Sequence, residues 1–234
     1  MTALALAAFQ GADTVNIDVE RGDRIEVDNH EGSITVRAWN RNTVQLRAPR
    51  DAFTIERAGG QVSVEQDWDQ GGPRSVALEL SVPAWMALEL SGVNTDITVT
   101  GAGAGVSAET VSGRITLEGG NGIIELVSVE GRVSVTGFTG KLEAVSVNEG
   151  VLVRRGSGSI QAESVNGDVT LLDIRSADVD AESVNGSITF SGPIQDNGRY
   201  QFATHNGGVT VGVQEGADAV VSVTTFQGSF AAGF

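Results

Sequence analysis

The segment Ser164-Val165-Asn166-Gly167-Asp168-Val169-Thr170-Leu171 recurs almost unchanged as Ser183-Val184-Asn185-Gly186-Ser187-Ile188-Thr189-Phe190. Weaker copies fill most of the chain, and the valine they share marks the period. Successive valines of this column are 18 residues apart, except that the last pair is 19 apart, and they are Val93, Val111, Val129, Val147, Val165 and Val184. His205 and Phe226 continue the column with a spacing of 21. A fixed period near 20 residues indicates a repeat architecture.

Apolar residues alternate with polar residues on both sides of the repeated turn. In the copy around Val165, Ile160 and Ala162 precede the turn, and Val169 and Leu171 follow it. A period of two with one apolar side predicts β-strands. Each repeat therefore contains two short strands and two turns, and these four apolar side chains are predicted to be buried in one coil.

Two all-β architectures have this pattern. In a single-stranded β-helix, or β-solenoid, each repeat forms one coil and like strands stack in parallel, whereas in an antiparallel β-sandwich the repeats form hairpins. Equivalent turn residues stay alike along the chain, which stacking explains and hairpins do not require. We therefore predict a right-handed β-solenoid with coils of about 18–21 residues and a β-hairpin cap at the N-terminal end. The antiparallel β-sandwich is the alternative.

The asparagine of the repeat is expected to support the stack. Asn148, Asn166 and Asn185 should lie about 4.8 Å apart on consecutive coils, because equivalent backbone positions of stacked strands repeat at that spacing. Their amides would then form a hydrogen-bonded structural ladder. Gly167 and Gly186 are assigned to the same ladder, because an Asn-Gly pair favours positive backbone angles at a turn.

The composition excludes several classes of function. The chain of 234 residues has a formal net charge of −15, from 15 basic and 30 acidic residues. This balance gives no basic patch, so neither nucleic acid nor an anionic membrane is expected as a partner. There is no cysteine, which excludes disulfides, thiolate chemistry and cysteine-type zinc sites. No cofactor is expected, because the glycines are not followed by the lysine or the helix of a phosphate loop.

We divide the chain into three ranges, the last two of which form one continuous domain. Residues 1–10 are apolar and too short to span a bilayer, and we interpret them as a signal-peptide remnant or a disordered N-terminus. In residues 11–90 apolar and polar residues alternate as in strands but without the regular 18-residue period. This range is predicted to form first coils and capping strands, since the terminal repeats of a solenoid are atypical. Residues 91–234 are predicted to form the regular coils.

No catalytic or metal-binding constellation stands out. His30 and His205 both occupy the valine column, many coils apart, so neither a shared metal site nor a catalytic base with a partner is expected. The carboxylates are spread along the chain without the spacing of a calcium loop, so no metal site is assigned. Trp68 lies in a predicted loop between Asp67 and Asp69 and is the best candidate for a glycan contact, because aromatic rings offer an apolar platform with a polar edge.

The Ser-Val-Asn-Gly and Val-Ser-Gly units, together with the segment from Asp28 to Trp39, resemble a bacterial adhesin family of β-strand-repeat domains of unknown function. The resemblance covers roughly residues 13–230, which is nearly the whole chain. It implies a β-helical domain that is extracytoplasmic or tethered to a membrane and has no established enzymatic role. It assigns no functional residues.

From the repeat and this resemblance we expect a non-catalytic module of the periplasm or cell surface, which acts as an adhesin or as an envelope scaffold. Its partner would be a surface glycan or another envelope protein, without direct membrane insertion by this segment. The alternative is a carbohydrate-binding or carbohydrate-active β-helix protein. A groove of Asp, Arg and aromatic side chains across adjacent coils would favour that alternative, whereas an even surface would favour the adhesin or scaffold.

Overall fold

A computed structural model of the chain describes residues 12–49, 52–66, 74–225 and 228–233. Within these ranges it contains no helix and seventeen strands. The strands are β1 Ala12–Asp18, β2 Arg24–Trp39, β3 Thr43–Pro49, β4 Phe53–Ala58, β5 Gln61–Gln66, β6 Val76–Pro83, β7 Ala87–Ala102, β8 Val106–Thr110, β9 Ile115–Ser128, β10 Val133–Ser146, β11 Gly150–Arg154, β12 Ser157–Ser164, β13 Asp168–Leu172, β14 Asp178–Ser183, β15 Ile188–Ser191, β16 Arg199–Thr204 and β17 Val209–Gly212.

The strands form two sheets that run along the stack. The first sheet has the order β4, β5, β2, β7, β8, β9, β10, β12, β14, β16, and the second has the order β1, β3, β6, β2, β7, β9, β10, β11, β13, β15, β17. The long strands β2, β7, β9 and β10 belong to both sheets. The pairs β1–β3, β3–β6 and β4–β5 are antiparallel. Every other strand pair in these two sheets is parallel.

One repeat forms one coil. Val133 lies opposite Ile115 on one side and Val151 on the other, so residues that are 18 apart in the chain are neighbours in the stack. This register confirms the predicted β-solenoid and excludes the antiparallel sandwich. The right-handed sense stays a prediction.

The core is the space between the two sheets. Ile160 is 3 % exposed, and Ala162, Val169 and Leu171 are each 0 % exposed. These residues alternate with outward-facing neighbours along β12 and β13, so the predicted inward facing is confirmed. Burial of such a row on every coil is the main source of stability, because each Val, Leu or Ile side chain removed from water contributes roughly 1.5–3 kcal/mol.

The first coils are not stacked in chain order. Strand β2 lies between β5 and β6 on one side and β7 on the other. Antiparallel strands cover this end, β4 against β5 in the first sheet, and β1 and β3 against β6 in the second. The chain therefore returns beneath β2 to form the outermost parallel coil before it continues into the regular repeats.

An ion pair joins the turn before β2 to strand β4 of the β4–β5 hairpin. The Arg57 guanidinium lies 2.9 Å from Asp23 Oδ2, and the backbone N–H of Glu20 donates to the same oxygen at 3.0 Å. The hydrogen bond from Glu20, followed by the bond and charge of Arg57, lowers the pKa of the Asp23 carboxyl below its ordinary value. Asp23 is therefore ionised at neutral pH in the folded protein.

The Asn-Gly turns differ from the conformation predicted for them. Gly167 and Gly186 are not among the residues with positive φ. Glycine is needed there for a different reason, since a Cβ at Gly167 would overlap the Glu149 carbonyl oxygen of the preceding coil, and one at Gly186 would overlap the carbonyl oxygen of Gly167. The glycine thus permits close approach of two coils.

Candidate contact surface

The asparagines of the repeat form a row on the surface, which we call the asparagine row. Each side-chain amide donates Nδ2–H to the Oδ1 of the preceding coil: Asn166 to Asn148 at 2.9 Å, Asn185 to Asn166 at 3.0 Å and Asn206 to Asn185 at 2.8 Å. All four side chains are exposed. Each amide has two N–H groups and two acceptor sites on its oxygen, so every member keeps hydrogen-bonding capacity for a partner.

A second row, of serine and threonine, lies beneath the turn and consists of Thr110, Ser128, Ser146, Ser164, Ser183 and Thr204. Ser146 Oγ donates to Gly131 O of the preceding coil at 2.9 Å and accepts the N–H of Gly150 at 3.0 Å. Ser128 makes the equivalent two bonds at 2.8 and 2.9 Å. We call these residues the hydroxyl row. Thr110, Ser128, Ser146, Ser183 and Thr204 donate to a carbonyl of the preceding coil, and all but Thr204 are buried.

The valine column forms an exposed row beside the asparagine row, which we call the valine row. Val93, Val111, Val129, Val165 and Val184 are 37–46 % exposed, and Val147 is half-buried. A shallow groove of about 390 Å³ runs beside the C-terminal part of this row, and it is lined by Val145, Glu163, Val165, Glu182, Val184, Ala203 and His205 among others. The surface here is therefore apolar at its centre and hydrogen-bonding at its edge.

Carboxylates gather on the outer face of the first sheet. The members of this group stand in two adjacent columns, and they are Glu89, Glu109, Glu125, Glu143, Glu163, Asp180 and Glu182. Glu125 lies opposite Glu143, and Glu163 lies opposite Glu182. These seven carboxylates are a part of the 30 acidic residues of the chain. The face adjoins the valine row, since Glu163 and Glu182 line the same groove as Val165 and Val184.

The structure does not bring the two histidines together. His30 is aligned with Val93 and both histidines are exposed. Seven stacking steps separate His30 from His205, or about 34 Å at about 4.8 Å a step. Among the residues that the structure describes, no group of three or more His, Cys, Asp or Glu side chains is placed to hold a metal ion. Trp68, Asp67 and Asp69 lie outside the described residues.

Sequence reasoning missed a pair of arginines at the opposite corner of the coils. Arg155 and Arg175 line a depression of about 740 Å³, together with Asp173. One signal was available, because Arg155 occupies a column in which three earlier coils have glycine, namely Gly101, Gly119 and Gly137. The prediction of the fold depends on the residues that the repeats share, whereas Arg155 departs from them.

In the ranges that the structure describes, no helix has the length and apolar character needed to cross a membrane. No curated protein matches the sequence. Solved structures share the fold. One from Parabacteroides merdae, named "putative adhesin", is 13 % identical with a TM-score of 0.55, and the match covers 88 % of this chain and 97 % of that one.

Two structures from Parabacteroides distasonis have the same relation to the chain. One is named "putative lipid binding protein", with 12 % identity, a TM-score of 0.52 and coverage of 88 % of this chain and 97 % of its own. The other is named "putative adhesin", with 13 % identity, a TM-score of 0.52 and coverage of 87 % and 97 %. At such identities the likeness shows the fold alone.

A sequence family supplies the stronger relation. The profile of the family described as Toastrack DUF4097 matches residues 6–232, which is nearly the whole chain. The match agrees with the stacked parallel coils and with the resemblance found in the repeat units. This β-solenoid therefore belongs to the Toastrack DUF4097 family.

Proposed function

We propose that the protein is a non-catalytic, extracytoplasmic surface or envelope module, which contacts its partner through the asparagine row and the valine row. The observation that carries this proposal is that both rows are exposed and repeat in register over adjacent coils. The amides of the asparagine row are linked at 2.9, 3.0 and 2.8 Å. Contiguous exposed apolar residues with a polar rim are typical of interaction sites.

The chemistry of the two rows indicates the kind of partner. Each coil offers an isopropyl group and an amide, and the pattern repeats about every 4.8 Å along the stack. A partner with apolar and hydrogen-bonding groups along its length, such as a surface glycan or another envelope protein, can contact several coils at once. The carboxylates beside the rows would repel an anionic polymer. The adhesin names of two related structures support a role in surface contact.

One experiment tests the contact surface. Purified protein is immobilised and the retention of isolated cell envelopes from the source bacterium is measured. The double variant Val165→Lys/Val184→Lys places two charges in the valine row at positions that are 39 % and 44 % exposed in the parent. It should retain at least about tenfold less envelope material, because an apolar contact would have to desolvate two ammonium groups.

The matched control places the same charges elsewhere. Thr170 and Thr189 lie on outward-facing positions of the second sheet, so Thr170→Lys/Thr189→Lys makes the same change of charge away from the rows. Equal retention by the two double variants, with both folded by circular dichroism, would contradict the proposal.

Location is tested separately by protease treatment of intact cells, which should cleave an extracytoplasmic module. The proposed location would be contradicted if the protease reached the protein only after lysis and the protein fractionated with the cytoplasm.

A further inference from the structure

The corner that follows the second sheet has an unusual backbone at two adjacent coils. One column of residues there takes the left-handed conformation, with φ of 75° at Gly101, 67° at Gly119, 73° at Gly137, 53° at Arg155 and 56° at Asp173. Glycine adopts this conformation freely, whereas a residue with a Cβ is strained in it. Arginine and aspartate thus stand where the preceding three coils have glycine. Aspartate adopts this conformation more readily than most residues, whereas for arginine it is uncommon, and such outliers cluster at functional sites.

These two residues line a depression that spans several coils. Arg175 also lines it, and so do the hydroxyl residues Thr139 and Ser157, whose oxygens are 3.3 Å apart. The depression has a volume of about 740 Å³. Its floor is closely packed, because the Phe138 ring is 1 % exposed and lies so near Gly156 that a Cβ there would overlap the ring.

The two guanidinium groups have no internal role in the described part of the chain. Their side chains are exposed and form neither a hydrogen bond nor an ion pair there, and only the backbone of Arg155 and Arg175 bonds to neighbouring coils. A hydrogen bond from the Arg175 N–H to Gly156 O at 2.9 Å ties the coils together at this point. Two unpaired guanidinium groups on a fixed backbone suit a carboxylate, which arginine binds with paired hydrogen bonds.

We propose that this depression binds a carboxylate-bearing saccharide. The guanidinium groups of Arg155 and Arg175 take the sugar carboxylate, and Asp173 with the hydroxyls of Thr139 and Ser157 takes hydroxyl groups of the sugar rings. The nearby Asp173 carboxylate and the net charge of −15 oppose a densely charged polyanion. A saccharide combines a sparse negative charge with many hydroxyl groups, and it therefore fits both the charged and the neutral parts of the depression.

This inference rests on the proposed surface role, because it names a ligand class that such a module would meet, but it is tested on purified protein. Titration calorimetry at physiological salt compares sialyllactose, a trisaccharide with a single carboxylate, with a neutral galactosyl-lactose trisaccharide. The parent should bind the acidic sugar and not the neutral one. Arg155→Gly and Arg175→Gln should each weaken binding about tenfold or more, because each removes one charge-assisted pair. Arg114→Gln changes an exposed arginine outside the depression and should bind like the parent.

Arg155→Gly separates binding from folding. Glycine is the residue of the three preceding coils at this column, so the variant should melt at or above the temperature of the parent while its affinity for the acidic sugar falls about tenfold or more. The proposal is overturned by a parent that does not bind sialyllactose, by equal binding of the neutral trisaccharide, or by parental affinity in either Arg155→Gly or Arg175→Gln. Those results leave envelope retention by the valine row and protease accessibility untouched, so failure of this site is distinguishable from failure of the proposed function.

Discussion

Replacement of Ser146 by alanine tests whether the hydroxyl row holds adjacent coils together. The Ser146 side chain is 0 % exposed, and its oxygen donates to Gly131 O at 2.9 Å and accepts from Gly150 N at 3.0 Å. Alanine leaves the N–H of Gly150 without that acceptor and the carbonyl of Gly131 without that donor, and both glycines are buried. A buried group left unpaired costs about 1–3 kcal/mol, so we expect Ser146→Ala to lower the free energy of unfolding by about 2–4 kcal/mol.

The assay is denaturant unfolding followed by circular dichroism. Ser157→Ala is the matched control, since it makes the same chemical change at a hydroxyl whose hydrogen bond, to Thr139 at 3.3 Å, is exposed to solvent. The control should stay within about 0.5 kcal/mol of the parent, as surface substitutions usually do. If Ser146→Ala were as stable as Ser157→Ala, the bridging hydroxyl would contribute nothing and the reasoning would be refuted.

Four further predictions concern the turns, metal ions and pH. Gly167→Ala should destabilise by about 1–3 kcal/mol through overlap with the Glu149 carbonyl, whereas Gly208→Ala, where a Cβ meets nothing within 4 Å, should unfold at the same denaturant concentration as the parent. Asn166→Ala breaks two links of the asparagine row and should cost about 1–2 kcal/mol; an unchanged unfolding midpoint would count against the row as a support. EDTA at constant ionic strength should leave the melting temperature unchanged, and a large rise with added calcium would show a specific site. The folded-state pKa of Asp23 is lowered, so the ionised carboxylate stabilises the folded protein above the unfolded-state pKa of about 3.9, and this contribution is lost as the pH falls from there through the folded-state pKa. Asp23→Asn should therefore melt below the parent at pH 7 and close to the parent at the acid end. A constant difference in melting temperature across the pH range would contradict this linkage.

The regular coils could be predicted because one period carries both the strands and the turns. Alternation around Val169 and Leu171 fixed the inward face, and the 18-residue spacing gave the parallel register. The turn conformation at Gly167 could not be read in the same way. Asn-Gly is typical of positive φ in an isolated hairpin, but here the constraint comes from the preceding coil, whose Glu149 carbonyl leaves no room for a Cβ.

Two other features depend on three-dimensional neighbours that no local pattern reveals. The serine column was visible in the sequence, but the bond from Ser146 to Gly131 joins residues 15 apart on different coils. The position of β2 between β6 and β7 was not predicted either, because β5 and β6 lack the repeat signature and their place in the stack depends on which exposed strand edge they cover. The left-handed backbone of Arg155 follows from the coil shape that Gly101, Gly119 and Gly137 share, and the arginine itself is a departure from that column.

The position of β2 inside the stack has a consequence for how the chain is synthesised. Both neighbours of β2 lie later in the sequence, so this strand leaves the ribosome with two unpaired edges and stays incomplete until residues up to about 100 have followed. Each later coil, in contrast, meets the finished edge of the coil before it and can add as it emerges. The two ends of the stack therefore differ in their tolerance of deletion. Loss of a C-terminal coil shortens the stack, whereas loss of the antiparallel strands β1, β3 and β4 exposes the edges of β5 and β6, and all later coils depend on this end.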